Sequence, residues 1–276
     1  MLAILYSGAF GRAHTFWERD RAQTSWLQHA YFPWAFSLAF AALGLLIQAE
    51  PVPASVTFAA RAEQLFQTNR IRFQTEKTNA TAAWQFGRAC FDWAEFARSD
   101  EQRERIANEG IAACRQAVAL QPDWAASHYY LALNLGQLAR TKSLGALKII
   151  PEIEREFKSA LELDPQFNNA APHRSIGLLY LQAPGWPTSI GNRSKARFHL
   201  KKAVELSPEY PENRLCLIEA FLQWNEKKNF MPEVKAVEEL WPRARQLFAG
   251  KAWEADWADW DKRWNLIQKT IKQKAT

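Results

Sequence analysis

One phrase recurs three times in the chain. "AVALQPDW", "SALELDPQF" and "KAVELSPEY" contain Pro122, Pro165 and Pro208, each proline 43 residues after the one before. An alanine stands five residues before each proline (Ala117, Ala160, Ala203), and Cys114, Phe157 and Leu200 stand three positions earlier still. An aromatic follows each proline by two residues: Trp124, Phe167 and Tyr210. Proline has no amide hydrogen to donate, so each phrase reads as the end of a helix with the next helix starting just beyond it. Repeated helical pairs of this size bury their apolar faces only on their neighbours, so the period predicts a stack rather than a closed globule.

The following helices align as well. "SHYYLALNLGQLA" matches "PHRSIGLLYLQAP", with His128 over His173 and Ala132 over Gly177, and "ENRLCLIEAFLQW" takes the same place after the third proline. Small residues at Ala132, Gly177, Ala117, Ala160 and Ala203 permit close helix approach, while Leu131, Ile176 and Leu217 fill the space between. This grammar resembles the tetratricopeptide repeat, helix A then helix B, whose usual period is about 34 residues. The surplus falls between A and B, as "TKSLGALKIIPEI" in one repeat and mostly as "APGWPTSIG" in the next. An earlier hairpin is expected from "TAAWQFGRACFDWAEFA" and "RERIANEGIAACRQAVAL", and a later one uses "NFMPEVKAVEELW".

No run of alternating β-branched residues suggests a sheet beyond residue 60. The expected fold is therefore all-α: a tetratricopeptide-like solenoid of about four helical hairpins over residues 60–250. A Trp-rich capping helix follows over 251–276, where Trp253, Trp257, Trp260, Trp264, Ile267 and Ile271 form one apolar seam. The seam serves either to dock on the last hairpin or to join subunits of a homo-oligomer.

The first 54 residues read differently. Residues 30–47, "AYFPWAFSLAFAALGLLI", carry no charge, come after Arg12, Arg19 and Arg21, and precede "QAEPVPAS". That layout is a signal peptide with cleavage after Ala49 or Ala54, or an uncleaved membrane anchor. The arginines on its N-terminal side favour export of the chain beyond Glu50, so the expected location is the periplasm, free or anchored in the inner membrane.

Apolar residues make up 48% of the 276 and charged residues 23%, which argues against wholesale disorder. The net charge of +6 is spread without a basic block, which argues against nucleic acid as a partner. Of the three cysteines, Cys90 and Cys114 fall on the two helices of one hairpin, where a disulfide could form; no C-x-x-C occurs. Neither a zinc-protease His-Glu-x-x-His, a Gly-x-Ser-x-Gly elbow nor a phosphate loop is present. His128 and His173 read as packing residues rather than metal ligands. No catalytic residue, metal site or cofactor is expected.

Binding is the better reading. Counting along the A helices places Gln85, Asp92 and Trp93, then Tyr129, Leu133 and Gln137, then Arg174, Leu178 and Gln182, then Leu215, Glu219 and Gln223 toward the concave face. This mix suits a protein surface, a peptide or a polar small molecule. In the loop, Pro184 and Pro187 bracket Gly185 and Trp186, stiffening the segment; Asn192 or Ser194 can cap the next helix. Trp186 then either contacts a ligand or folds back over the hairpin core.

The stretch "PHRSIGLLYLQAPGWPTSIGNRSKARFHLKKAVELSPEYPENRL" resembles the bacterial T-component family associated with TRAP transporters, exported helical-repeat proteins with an Ala-Pro-Gly-Trp-Pro loop and a Pro-Glu-Asn-Arg turn. "TKSLGALKIIPEIEREFKSALELDP" is also similar, and the likeness covers roughly residues 80–225. A weaker likeness extends to eukaryotic regulators of microtubule dynamics. The bacterial resemblance implies a periplasmic scaffold that partners the substrate-binding protein of a TRAP-type organic-acid transporter. Its matching positions here are Pro184, Gly185, Trp186 and Pro187, with His173, Arg174, Asn213 and Arg214. Family members are often lipoproteins, whereas this sequence has no cysteine near either cleavage site. The expectation is thus a non-catalytic scaffold of the bacterial envelope. Its alternatives are a general adaptor for an envelope complex and, last, an enzyme using the concave groove.

Overall fold

The computed structural model describes residues 54–142 and 145–273, and these form ten α-helices with no strand among them. In chain order they are α1 (Ala54–Thr75), α2 (Ala80–Ala94), α3 (Asp100–Leu120), α4 (Ala125–Arg140), α5 (Ala146–Leu163), α6 (Phe167–Gln182), α7 (Arg193–Leu206), α8 (Pro211–Gln223), α9 (Lys227–Leu247) and α10 (Glu254–Gln273). A short 3-10 turn, Lys251–Trp253, leads into α10. The expected leader, with its apolar run at 30–47, lies outside the described residues apart from Ala54. Among the described residues no helix is long and apolar enough to cross a membrane.

Helices α2–α3, α4–α5, α6–α7 and α8–α9 pair as successive hairpins, each packed on the next. The repeat alanines Ala117, Ala160 and Ala203 are fully buried, as are Cys114, Phe157 and Leu200. Small residues are needed where helices cross. A Cβ on Gly177 would lie 2.9 Å from Leu200 Cγ and 3.1 Å from its backbone nitrogen, so α6 and α7 meet almost backbone to backbone. Side-chain caps start several helices. Asn79 accepts from the amides of Thr81 and Ala82, Ser99 from Gln102, and Asn192 from Lys195, each cap contributing about 1 kcal/mol.

The insert after α4 is less of a loop than the sequence suggests. Helix α5 already begins at Ala146 and runs through Pro151, which sits exposed in its second turn. Most of the extra length thus extends helix B, in which Pro151 has no amide to donate to the Leu147 carbonyl one turn earlier.

A second irregularity has a clear origin. The closing prolines repeat every 43 residues, but His173 follows His128 by 45, so two extra residues lie between Pro165 and His173. The chain absorbs them in a left-handed turn: Asn168, Asn169 and Ala170 have φ of 47°, 59° and 58°. Asparagine tolerates that conformation; alanine does so at a cost of about 1–2 kcal/mol.

The Trp seam docks as a cap. Trp257, Trp260, Trp264 and Ile267 are buried against α8 and α9, among Val237, Leu240 and Ala244, and Trp241 packs on Trp257 and Trp264. At the other end α1 covers the first hairpin through Phe66 and Phe73, both against Phe86. Its Arg61 reaches the start of the cap, donating to the Lys251 carbonyl at 3.1 Å and to Glu254 at 3.3 Å.

Candidate functional site

The polar A-helix residues expected on a concave face occupy other positions. Tyr129, Leu133, Gln137, Arg174, Leu178 and Leu215 are all buried, so the register expected from counting is corrected. Wide hairpin-to-hairpin contact, together with α10 lying on α8, takes up the surface that a bare solenoid would leave open.

Each of these polar groups has found an internal partner. Arg174 Nη1 donates to Asn213 Oδ1 at 2.7 Å and to the Asn169 carbonyl at 3.2 Å, and its guanidinium lies 5.2 Å from the centre of the Tyr210 ring. Asn213 is fully buried, and its amide nitrogen donates to the carbonyls of Asn169, Ala203 and Ser207. Arg174 and Asn213 therefore brace the left-handed turn and join α6 to α8. Tyr129 shares a hydrogen bond of 3.1 Å with Ser175. Gln137 accepts from Arg103 at 2.8 Å and donates to Glu95, with Arg140 completing the cluster. Burial and the nearby Arg140 push the Arg103 guanidinium down to about 10.

The remaining expected residues divide between core edge and surface. Trp93 packs half-buried beside the first hairpin's core. Arg214 is half-buried and paired with Glu233 on α9. Gln182 is half-buried at the end of α6. Glu219 meets Arg263 of the cap in a two-pronged ion pair at 2.8 and 2.9 Å. Burial opposes the charge on Arg263, but Glu212 and Glu219 outweigh it and hold the guanidinium charged.

The histidines, packing residues in the sequence reading, are each bonded to the B helix of their own hairpin. His128 Nδ1 lies 2.7 Å from Glu156 Oε2, and its Nε2 lies 2.9 Å from the Pro122 carbonyl. Both partners are acceptors, which fits an imidazolium, and the bond to Glu156 raises the His128 pKa. His173 Nδ1 instead lies 3.0 Å from His199 Nδ1. Glu156 and His199 each stand nine residues before a closing proline, so one repeat position serves both hairpins with different chemistry. Burial lowers both members of the His173–His199 pair, His199 to about 4. Among the described residues no three His, Cys, Asp or Glu side chains are grouped to hold a metal ion. Cys90 and Cys114 are free, buried thiols, and burial pushes their pKa values far up.

The Pro-Gly-Trp-Pro loop points outward. Trp186 is 89% exposed, so it does not close the hairpin core. The loop is nonetheless braced. Gly191 donates to the Pro184 carbonyl at 2.8 Å, Thr188 and Ser189 donate to Gly185, and Asn192 donates to Tyr180. A Cβ on Gly191 would lie 2.0 Å from the Ala183 carbonyl, so the crossing admits only glycine. The Trp186–Pro187 peptide is cis. Pro184 is half-buried, while Gly185 and Pro187 are exposed with the indole.

Comparison with known proteins bears on the architecture. A crystal structure of a thermophilic TPR protein from Thermus thermophilus superimposes with a TM-score of 0.51 at 18% identity, over 70% of this chain and 93% of its own. This chain is a tetratricopeptide-type solenoid. The family model for Regulator of microtubule dynamics protein 1-3 matches residues 56–178 of the solenoid, from α1 into α6, and so stops short of the Pro-Gly-Trp-Pro loop. No curated protein matches the sequence.

Sequence reasoning missed several residues that organise the solenoid. Glu156 and His199 were findable, since they share a repeat position facing His128 and His173. The partners Glu95, Arg103 and Arg140 leave no spacing signal, because they converge from the C-cap of α2, from α3 and from α4. Phe198, 60% exposed on α7, reads in the sequence as an ordinary apolar residue of the hairpin.

Proposed function

We propose that the chain is a non-catalytic interaction scaffold of the bacterial cell envelope, exported or anchored by its leader, which partners the substrate-binding protein of a TRAP-type transporter. The observation that carries this reading is the stack of tetratricopeptide-type hairpins, an architecture suited to holding protein partners. The Ala-Pro-Gly-Trp-Pro phrase and the Pro-Glu-Asn-Arg turn support the transporter assignment, since both match the T-component family. A general envelope adaptor is the second reading. It needs only the helical repeats, which the family match over residues 56–178 covers without the loop.

The test is cross-linked affinity capture from native membranes, with the chain tagged after Thr276 and its partners identified by mass spectrometry. Recovery of a solute-binding protein or its permease supports the transporter reading. Recovery of other envelope proteins alone refutes it in favour of the adaptor. A protein found only in the cytoplasm with residue 1 intact contradicts both.

A further inference from the structure

The outer face of α7 combines two features found together nowhere else among the described helices. Its fourteen residues carry Arg193, Lys195, Arg197, Lys201 and Lys202 against the single acid Glu205. Ala196, Leu200, Ala203 and Val204 face inward, which puts Phe198 at the centre of the opposite, solvent side. Lys195, Lys201 and Lys202 stand three or four residues from it; Lys201 is exposed, while the Lys195 ammonium also lies 5.0 Å from the centre of the Tyr180 ring and Lys202 also bonds Glu205 at 2.7 Å. Arg193 and Arg197 are drawn to one flank by Glu226 of the next hairpin. The loop carrying Trp186 runs directly into the first turn of α7. The two most exposed aromatic side chains of the described structure thus belong to one hairpin, Trp186 in its loop and Phe198 in the second turn of α7 among the lysines.

We propose that this face is a docking surface for an anionic lipid bilayer, with Trp186 and Phe198 entering the headgroup region and Lys195, Lys201 and Lys202 meeting the lipid charge. The charges are complementary, and each lysine near such a surface favours binding severalfold. The shape also fits. Phe198 stands on a convex helix and Trp186 on a projecting loop, whereas a peptide ligand needs a groove to lie in. Tryptophan is suited to the water–lipid boundary because its ring is apolar and its N–H is polar. The uncharged run at 30–47 ends only a few residues before α1, so a chain anchored there would hold the solenoid close to a membrane.

Environment at the face itself separates this docking from any insertion of residues 30–47. All three native cysteines are buried, so Ser194→Cys on the full-length chain accepts an environment-sensitive dye at one place on α7. Phosphatidylglycerol–phosphatidylcholine vesicles should blue-shift the dye, and pure phosphatidylcholine vesicles should not. Reversing Lys195, Lys201 and Lys202 to glutamate should weaken the response roughly 100-fold or more. Trp186→Ala with Phe198→Ala should weaken it about tenfold or more. Trp186, Phe198 and Lys201 are exposed, so Trp186→Ala with Phe198→Ala, and Lys201→Glu alone, should melt like the parent, and Lys201→Glu alone should weaken the response severalfold. A dye at Lys235→Cys on α9 should not respond, and reversing Lys227, Lys228 and Lys235 should leave the Ser194 response within about twofold. No shift with anionic vesicles overturns the proposal and leaves the patch to a protein partner. An equal loss from the α9 reversals also overturns it, since binding would then follow net charge alone. Neither vesicle result depends on the transporter reading.

Discussion

Arg174 donates a 2.7 Å hydrogen bond to Asn213, joining the A helices of two successive hairpins across a fully buried contact. Both also hold the Asn169 carbonyl, in the left-handed turn that takes up two residues beyond the repeat length. In the sequence these residues look like recognition residues, and their internal bonds make them braces.

The His173–His199 contact predicts acid sensitivity. Burial lowers both pKa values, His199 to about 4, and Lys158, Lys195 and Lys202 oppose protonation while Glu205 partly offsets this at His173. A folded pKa below the unfolded value of about 6.5 gives stability that is full above that pH and lost as pH falls toward 4. Thermal melts between pH 7.5 and 4.5 should show the parent losing more stability than His199→Gln. Parallel losses would contradict this.

The His128–Glu156 contact predicts the opposite sign. Glu156 raises the His128 pKa, so its contribution is complete below about pH 6.5 and disappears as pH rises through the raised value. The stability advantage of the parent over Glu156→Gln should shrink between about pH 6 and pH 8.5. An advantage that grows over that range would refute the imidazolium assignment.

The cap should be integral to the last hairpin. Trp260 is 1% exposed, and its indole donates to Glu212 at 2.7 Å. Trp260→Ala is expected to cost about 3–5 kcal/mol in denaturant unfolding. Arg263→Met leaves the half-buried Glu212 and Glu219 with less compensation and should also destabilise, by about 1–2 kcal/mol once partial exposure is allowed for. Loss of dimerisation without loss of monomer stability would instead assign the Trp seam to subunit association.

Much of the fold was legible because helix ends and helix crossings leave local marks. Pro122, Pro165 and Pro208 close helices, and Ala117, Ala160 and Ala203 mark the crossings. The 4, 3 spacing from Trp253 to Ile271 similarly places the cap's apolar side. The site was less legible, since exposure depends on what packs over a helix. Glu219 would be outward in a bare solenoid, but Arg263 arrives from 44 residues away to cover it. Trp186 shows the converse: its flanking prolines announce a stiff loop, yet nothing local says whether the indole turns inward. The close crossing of Gly191 over Ala183 and Pro184, which braces the loop, likewise leaves no mark in the sequence beyond the glycine itself.

The division between internal braces and outward loop is tested most directly by comparing equilibrium unfolding of Trp186→Ala and Asn213→Ala with the parent. Trp186→Ala should stay within about 0.5 kcal/mol of the parent. Asn213→Ala, by stripping a buried charged donor and three carbonyls of a partner, should lose about 2–3 kcal/mol. A loss of similar size at Trp186, or none at Asn213, would contradict it.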